Sequence, residues 1–101
     1  MNSDLLPLLR RFQPEFLLIS AGFDAHKLDR MNRGRGSLLS HDFAAITTML
    51  TDVADECCHG RVVSVLEGGY DEHGLRDGVA AQLRETRERK TKINLCCLLI
   101  L

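Results

Sequence analysis

The first part of the chain shows a helical spacing of apolar residues and then an unbroken apolar run. Leucine or phenylalanine occupies positions 5, 8, 9 and 12, which predicts one helix over residues 3–12. Ser3 or Asp4 would cap this helix, and Pro14 would end it, because the residue before a proline avoids the α region. Residues 15–21 (EFLLISA) hold four large apolar side chains in succession. Such a run is typical of a strand that is buried on both faces in a parallel sheet.

The same order of elements recurs after residues 27–39, a loop that is rich in arginine and glycine and has no periodicity. Apolar residues at positions 43, 46, 50, 53, 54 and 57 predict a second helix, with Ser40 as its cap and a stop at His59-Gly60. Residues 61–66 (RVVSVL) predict a second strand. Asp71 would cap a third helix with apolar positions 75, 79 and 83 on one face. The order predicts an α/β fold whose parallel strands are joined by a right-handed crossover.

A sheet of only two parallel strands leaves two edges open, and such a sheet needs neighbours. The sequence therefore predicts part of a larger α/β domain, or a chain that requires a partner. Residues 84–101 differ in character, because a basic segment (84–92) is followed by an almost wholly apolar one. We interpret the basic segment as a solvated extension of the third helix, with a nuclear-targeting or nucleic-acid patch as the alternative. The apolar segment has no predicted role.

Composition narrows the classes of function. Thirteen basic and fourteen acidic residues give a net charge of −1, which argues against a polyanion binder that relies on bulk charge. The absence of tryptophan and the single tyrosine argue against a stacking platform for single-stranded nucleic acid. No apolar run approaches the roughly 18 residues of a membrane span, and no secretory signal pattern is present. The vicinal pairs Cys57-Cys58 and Cys96-Cys97 lack C-x-x-C spacing and favour packing cysteines in a reduced, intracellular protein.

The first predicted strand ends in residues 20–26 (SAGFDAH), at the edge where open α/β sheets bind ligands. Asp24 and His26 are two residues apart, so an extended backbone would aim both side chains to one side. A carboxylate and an imidazole together are credible ligands for a first-row metal, zinc included. The alternatives are that Asp24 is a turn or capping residue and that His26 is a surface or hydrogen-bonded histidine.

The second predicted strand ends in residues 66–70 (LEGGY). Gly68 and Gly69 allow positive φ or a close approach of a ligand, and they place Tyr70 on a tight turn. Because a phenol has a pKa near ~10, it stays protonated at neutral pH and could donate to a carbonyl oxygen that gains negative charge. The alternative is a tyrosine packed over a glycine turn. The two glycine patterns typical of phosphate-binding loops, G-x-G-x-x-G and G-x-x-x-x-G-K, are both absent from the sequence.

These two motifs, with FQPEF before the first, resemble those of the zinc-dependent histone deacetylase family, most closely its class II and bacterial deacetylase-like branches. The resemblance covers about residues 5–83 and implies part of the arginase/deacetylase fold, an α/β domain with a central parallel sheet. Residues 1–83 would then form the C-terminal part of a deacetylase-like domain, and residues 84–101 would form a tail of unknown role.

The resemblance also implies roles for individual residues. Asp24 matches a zinc-binding aspartate, and Tyr70 matches the tyrosine that hydrogen-bonds the acetyl carbonyl and stabilises the tetrahedral intermediate. Gly68 and Gly69 match glycines in the wall of the acyl-lysine channel. The family does not use the position of His26 as a zinc ligand. The resemblance therefore argues against the hypothesis that Asp24 and His26 bind a metal together. Phe23 would pack under the metal loop, and Glu67 would support the site.

The sequence also departs from the family pattern. The family takes two further zinc ligands from an upstream Asp-x-His motif and uses a histidine pair, and this sequence contains no His-His. Residues 71–73 (DEH) match the Asp-x-His pattern, but they lie at the start of the helix after Tyr70 and not at the family's upstream position. Family members commonly have Asp-Pro, then Leu and Gly, after the metal aspartate, where this chain has Asp29-Arg30-Met31-Asn32. These differences, with the unmatched tail, suggest a truncated product or a remnant, and we expect the chain alone to be inactive.

Two classes of function follow. The first is part of a zinc-dependent lysine deacetylase in the nucleus or cytoplasm, acting on acetylated lysine of histones or other proteins, with acetylpolyamines as a neighbouring substrate class. The second is a non-catalytic module that docks on a partner protein through its open sheet edge and apolar tail. Neither class requires a membrane or direct contact with nucleic acid.

Overall fold

The computed structural model describes residues 4–87. Its helices are α1 (Leu5–Phe12), α2 (Ser40–Cys58) and α3 (Glu72–Arg87), and its strands are β1 (Leu17–Ala21) and β2 (Val62–Leu66). Two short 3₁₀ turns, Phe23–Ala25 and Arg30–Asn32, lie between β1 and α2. The predicted α/β order of helix, strand, helix, strand and helix is confirmed. The predictions for residues 88–101, including Cys96-Cys97, lie outside the described residues.

The two strands pair in parallel. Leu17 lies opposite Val62 at one end of the register, and Ala21 lies opposite Leu66 at the other. The crossover between them contains α2, as the sequence predicts. Because parallel strands end at the same edge, the segments that follow β1 and β2 emerge side by side.

One face of this sheet carries the core. Leu17 and Val62 pack with Ala54 and Cys58 of α2, and on the same face Ser64 donates a hydrogen bond to Gln82 of α3 (3.2 Å). The prediction that β1 is buried on both faces is wrong for the described residues. Leu18, which points to the opposite face, is 63% exposed, because α2 and α3 cover the same side of the sheet.

Helix α1 attaches to α2 at the margin of this core. Leu9 contacts the core cluster, and Arg10 forms an exposed ion pair with Glu56 (2.7 Å). The helix ends where Gln13 adopts a left-handed conformation (φ 53°), before the proline that the sequence marks as a stop. The expected cap is not observed at Asp4, whose side chain makes no capping hydrogen bond.

The buried face of α2 differs from the predicted apolar stripe. Thr47 and Thr51 are buried, whereas several of the predicted apolar positions are only partly buried. The hydroxyl of Thr47 donates to the backbone carbonyl of Phe43 (2.7 Å), and the hydroxyl of Thr51 donates to the backbone carbonyl of Thr47 (2.8 Å). With their hydroxyls bonded inside the helix, the threonines bury their methyl groups without an unpaired polar atom.

The ends of α2 are set by the backbone. The predicted stop is confirmed, because His59 (φ 55°) and Gly60 (φ 72°) both adopt positive φ. The predicted cap is wrong, since Ser40 is the first helical residue and Leu39 occupies the cap position. The carboxylate of Asp42, the third helical residue, reaches back and accepts the N–H of Leu39 (2.8 Å).

Helix α3 packs through small residues. Gly74, Gly78 and Ala81 are buried, while the apolar positions 75, 79 and 83 are partly buried. A side chain at Gly78 would place its Cβ 2.6 Å from the ring of Phe23, so the missing side chain lets α3 lie close to the loop after β1. The predicted cap is confirmed: an Asp71 carboxylate oxygen accepts the Gly74 N–H (2.8 Å).

This cap leads to a prediction for stability. Asp71→Ala should lower the free energy of unfolding by about 1 kcal/mol, because the first turn of α3 loses a side-chain acceptor. Asp77→Ala is the matched control, since that carboxylate lies within α3 and pairs only with an exposed arginine. Urea denaturation followed by circular dichroism would measure both. Equal losses for the two variants would contradict the capping role.

Cys57 and Cys58 are both free thiols, and Cys58 is fully buried in the core cluster. The packing role predicted for this cysteine is confirmed. Within residues 4–87, no helix has the length and apolar character needed to cross a membrane.

Candidate functional site

The segments that follow the two strands are joined directly to each other. The Glu67 N–H donates to the carbonyl of Ala21 (3.0 Å), and the Phe23 N–H donates to the carbonyl of Gly68 (2.8 Å). These hydrogen bonds continue the pairing beyond the last residues of β1 and β2. The two motifs singled out in the sequence therefore form one continuous rim at the carboxyl edge of the sheet.

Asp24 lies in the 3₁₀ turn on this rim, and its carboxylate rests against the glycine turn. A Cβ atom built on Gly68 would lie 2.6 Å from Oδ1 of Asp24, and one built on Gly22 would lie 2.9 Å from the same oxygen. Any side chain at position 68 would therefore push the carboxylate aside. The structure brings together Asp24 and Gly68, which the sequence places in separate motifs.

The carboxylate of Asp24 is free to bind a ligand. It is partly buried, and it forms no hydrogen bond or ion pair with residues of the described chain. A carboxylate oxygen is an ordinary zinc ligand, so Asp24 fits one position of a tetrahedral zinc centre. Residues 4–87 contain no group of three histidine, cysteine, aspartate or glutamate side chains that could hold a metal. Further ligands would have to come from outside these residues.

His26 does not pair with Asp24, so that hypothesis is wrong. Its ring is buried, its Nδ1 accepts the Leu28 N–H (3.1 Å), and its Nε2 lies 3.1 Å from the hydroxyl of Ser40. With Nδ1 accepting, Nε2 carries the proton and donates to Ser40. The expected side-by-side geometry fails because Phe23–Ala25 forms a 3₁₀ turn and not an extended strand. The alternative of a hydrogen-bonded histidine is the one observed.

Tyr70 stands at the end of the glycine turn with its side chain 66% exposed. This exposure favours a phenol that faces solvent over a tyrosine packed on that turn. The backbone turns at Gly69, whose φ of 142° disfavours a side chain. A Cβ there would also lie 2.8 Å from Leu75 and 3.2 Å from Phe23. The turn thus presents the phenol to solvent beside the rim.

Phe23 supports both motifs from below. It is 2% exposed, and its ring centroid lies 5.0 Å from that of Phe43 on α2. The predicted packing role of Phe23 is confirmed. Glu67 is exposed, and its supporting role stays a prediction.

Two loop residues that hold this rim together were not predicted from the sequence. The side-chain amide of Asn32 donates to the carbonyls of Asp24 (2.8 Å) and His26 (3.0 Å). The buried carboxylate of Asp29 accepts the Tyr70 N–H (2.7 Å), and this hydrogen bond is the main cause that holds the pKa of Asp29 below its usual range. The sequence does carry a local signal for a turn at Asp29, since aspartate side chains often accept the N–H two residues later. Here the Asp29 carboxylate accepts the Met31 N–H (2.8 Å).

Comparisons with known proteins identify the family to which this chain belongs. The family model described as the histone deacetylase domain matches residues 1–86. The chain is 43% identical over 86 residues to type-2 histone deacetylase 1 of Dictyostelium discoideum, covering 85% of this chain and 6% of the relative. It is 42% identical over 72 residues to the histone deacetylase-like amidohydrolase of Pseudomonas aeruginosa, covering 71% of this chain and 18% of the relative.

A solved structure shows the same fold. The crystal structure of the HDA15 HD domain superimposes with a TM-score of 0.68 at 33% identity, covering 78% of this chain and 21% of the solved chain. The chain thus spans about a fifth or less of the length of these proteins. The matching motifs, the shared α/β fold and the family model together show that this chain belongs to the histone deacetylase family.

Proposed function

We propose that this chain contributes the metal-binding aspartate and the catalytic tyrosine of a zinc-dependent lysine deacetylase domain. One observation carries the proposal: the unpaired carboxylate of Asp24 rests against Gly68, two residues before Tyr70. A ligand for a cation and a donor for an acyl oxygen thus belong to one rim. That pairing of groups suits the hydrolysis of an amide.

Each residue has a distinct role in this proposal. Asp24 binds the zinc ion, which polarises an acyl carbonyl and a water molecule when it is bound. The Tyr70 hydroxyl donates a hydrogen bond to the acyl oxygen as negative charge develops on it, which stabilises the transition state more than the substrate. Gly68 and Gly69 form part of the wall of the acyl-lysine channel, and the side chain missing at Gly68 leaves room for the Asp24 carboxylate.

The substrate class follows from the family. We assign acetylated lysine in histones or other proteins as the substrate of the complete domain, with an acetylpolyamine as the alternative. We assign the nucleus or the cytoplasm as its location, where the free thiols of Cys57 and Cys58 would stay reduced.

The 101-residue chain alone should be inactive, because the sequence matches one of the three protein ligands that a catalytic zinc needs. We expect less than one zinc ion per chain by mass spectrometry after dialysis against trace zinc, and no turnover of an acetyl-lysine peptide above the rate without protein. The full-length Pseudomonas amidohydrolase, assayed in parallel, shows that the peptide and metal conditions are adequate. Stoichiometric zinc together with turnover that Tyr70→Phe removes would contradict this prediction.

A chimera tests the catalytic role directly. Residues 5–83 of this chain would replace the aligned segment of the Pseudomonas amidohydrolase, which supplies the rest of its own domain. We expect the chimera to bind zinc and hydrolyse the acetyl-lysine peptide. A folded chimera that binds zinc and lacks activity, where the parent enzyme is active, would argue that this segment is not catalytic. An acetylpolyamine assayed beside the peptide would separate the two substrate classes.

The non-catalytic docking role is the second candidate, and the exposed apolar side chains favour it. Phe12, Phe16 and Leu18 are large and exposed on α1 and near β1. Such a surface is typical of a site that another protein covers. Light scattering of the purified chain would test it: a monodisperse monomer with no tendency to associate would count against a docking surface.

A further inference from the structure

Asp29 is a charged residue in an unusual environment. Its side chain is 3% exposed, and it forms no ion pair with a basic residue of the described chain. A carboxylate that is removed from water without a counter-ion is unfavourable unless hydrogen bonds replace the lost hydration. Hydrogen bonds must therefore stabilise the buried charge of Asp29.

Backbone N–H groups provide the replacement. Oδ1 of Asp29 accepts the N–H of Met31 (2.8 Å), and Oδ2 accepts those of Tyr70 (2.7 Å) and Asp71 (3.2 Å). The Tyr70 N–H contributes most to lowering the pKa of Asp29, so the carboxylate is ionised at neutral pH. Hydrogen bonds to an ionised acceptor are stronger than those between neutral groups.

Two of these three bonds connect distant parts of the chain. Asp29 and Tyr70 are 41 positions apart in the sequence. On the other side of the turn, the bond from the Phe23 N–H to the Gly68 carbonyl fixes the first glycine. Only Gly69, with its positive φ, separates the two fixed points. The backbone of Tyr70 is therefore held from both sides.

The loop that contains Asp29 also binds the turn that contains Asp24. Asn32, three residues after Asp29, donates to the carbonyls of Asp24 and His26. The loop that differs from the family pattern thus connects the backbone of the proposed metal ligand with that of the proposed tyrosine.

We propose that Asp29 is a positioning residue for Tyr70, and that its carboxylate fixes the tyrosine turn beside the Asp24 loop. This inference rests on the proposed function for the role of Tyr70. Asp29 touches neither substrate nor metal in this proposal and acts through the tyrosine backbone. Because transition-state stabilisation depends on geometry within a fraction of an ångström, release of the turn should lower kcat more than it changes KM.

Amide hydrogen exchange in the 101-residue chain tests the contact itself. In Asp29→Asn, the side chain loses its negative charge and keeps one acceptor oxygen for three N–H groups, so the bonds from Tyr70 and Asp71 are either lost or reduced to neutral ones. We expect exchange at the Tyr70 and Asp71 amides to accelerate by about tenfold or more, while the β2 amides keep their protection. Asp42→Ala is the matched control, because that carboxylate also accepts a backbone N–H but lies at the start of α2. Unchanged exchange at Tyr70 in Asp29→Asn would overturn the proposal.

A pH titration of the unmodified chain covers the case in which the variant fails to fold. Since the pKa of Asp29 is lowered in the folded chain, its ionised form stabilises that state above about pH 3.8, and the contribution is lost as the pH falls through the lower folded value. We expect the Tyr70 amide proton shift to titrate with a midpoint below 3.8. His26, Asp24 and Asp71 also lie near this turn, and repeating the titration in Asp71→Ala removes the adjacent carboxylate. A flat Tyr70 shift over this range would also overturn the proposal.

Kinetics in the chimera test the consequence. Asp29→Asn should lower kcat by about 10–100-fold while bound zinc and KM change little. Full kcat in an active Asp29→Asn chimera would overturn the positioning role and leave the proposed function intact. An inactive parent chimera with a Tyr70 amide that still depends on Asp29 would instead count against the proposed function, with the contact established.

Discussion

In the chimera, Tyr70→Phe should reduce kcat for an acetyl-lysine peptide by about 10²–10³-fold, with zinc content unchanged. The variant removes one hydroxyl and retains the ring, so it deletes only the proposed donor to the developing negative charge. Because the Tyr70 side chain is exposed and packs into no core, the loss cannot be attributed to misfolding. Steady-state kinetics with zinc analysis of the same preparation would measure it.

Two comparisons make this result specific to the hydroxyl group. Phe16→Ala changes another exposed aromatic residue away from the rim and should leave kcat within about twofold. The thermal transition of Tyr70→Phe should match that of the parent chimera. A kcat for Tyr70→Phe close to the parental value would remove the tyrosine from the mechanism, whatever the zinc content.

Asp24→Asn in the chimera should weaken zinc binding by more than about 100-fold. Loss of a residue that only supports a metal ligand typically costs 10–100-fold in affinity, so loss of a ligand itself should cost more. Asparagine keeps the shape that rests against Gly68 but removes the negative charge. Competition with a chromogenic chelator would give the affinity, and turnover should fall in proportion to the zinc lost.

Asp71→Ala is the matched control for this experiment. That residue is another carboxylate at the same edge of the sheet, but it is already engaged by the Gly74 N–H. We expect Asp71→Ala to retain zinc within about twofold. Equal zinc loss in both variants would indicate a general effect of charge at the rim and would contradict a ligand role for Asp24.

The order of elements was predictable because each element carries its own local signal. The apolar run around Leu17 and Leu18 marks β1, and the cap at Asp71 marks the start of α3. The exposure of Leu18 was not predictable, because apolar side chains do not report which faces other elements cover. The buried threonines of α2 were missed for a related reason: their hydroxyls bond within the helix, and hydropathy scores them as polar.

The site was predictable only where the motifs carry it. The sequence singled out Asp24, Gly68 and Tyr70, but pattern alone could not show that the carboxylate rests on the glycine. The prediction that Asp24 and His26 point to one side failed because it assumed an extended backbone, whereas Phe23–Ala25 forms a 3₁₀ turn. The link from Asp29 to the tyrosine turn was missed because Tyr70 and Asp71 lie 41 and 42 positions away, and a bond between a side chain and a distant N–H leaves no periodic trace.

The placement of Tyr70 has a practical consequence. It is the only tyrosine of the chain, which contains no tryptophan, so the intrinsic fluorescence of the 101-residue protein comes from this one phenol. Its solvent exposure at the rim makes that emission sensitive to quenchers and to ligands that approach the edge of the sheet. A simple optical titration can therefore report on events at this rim without any attached dye.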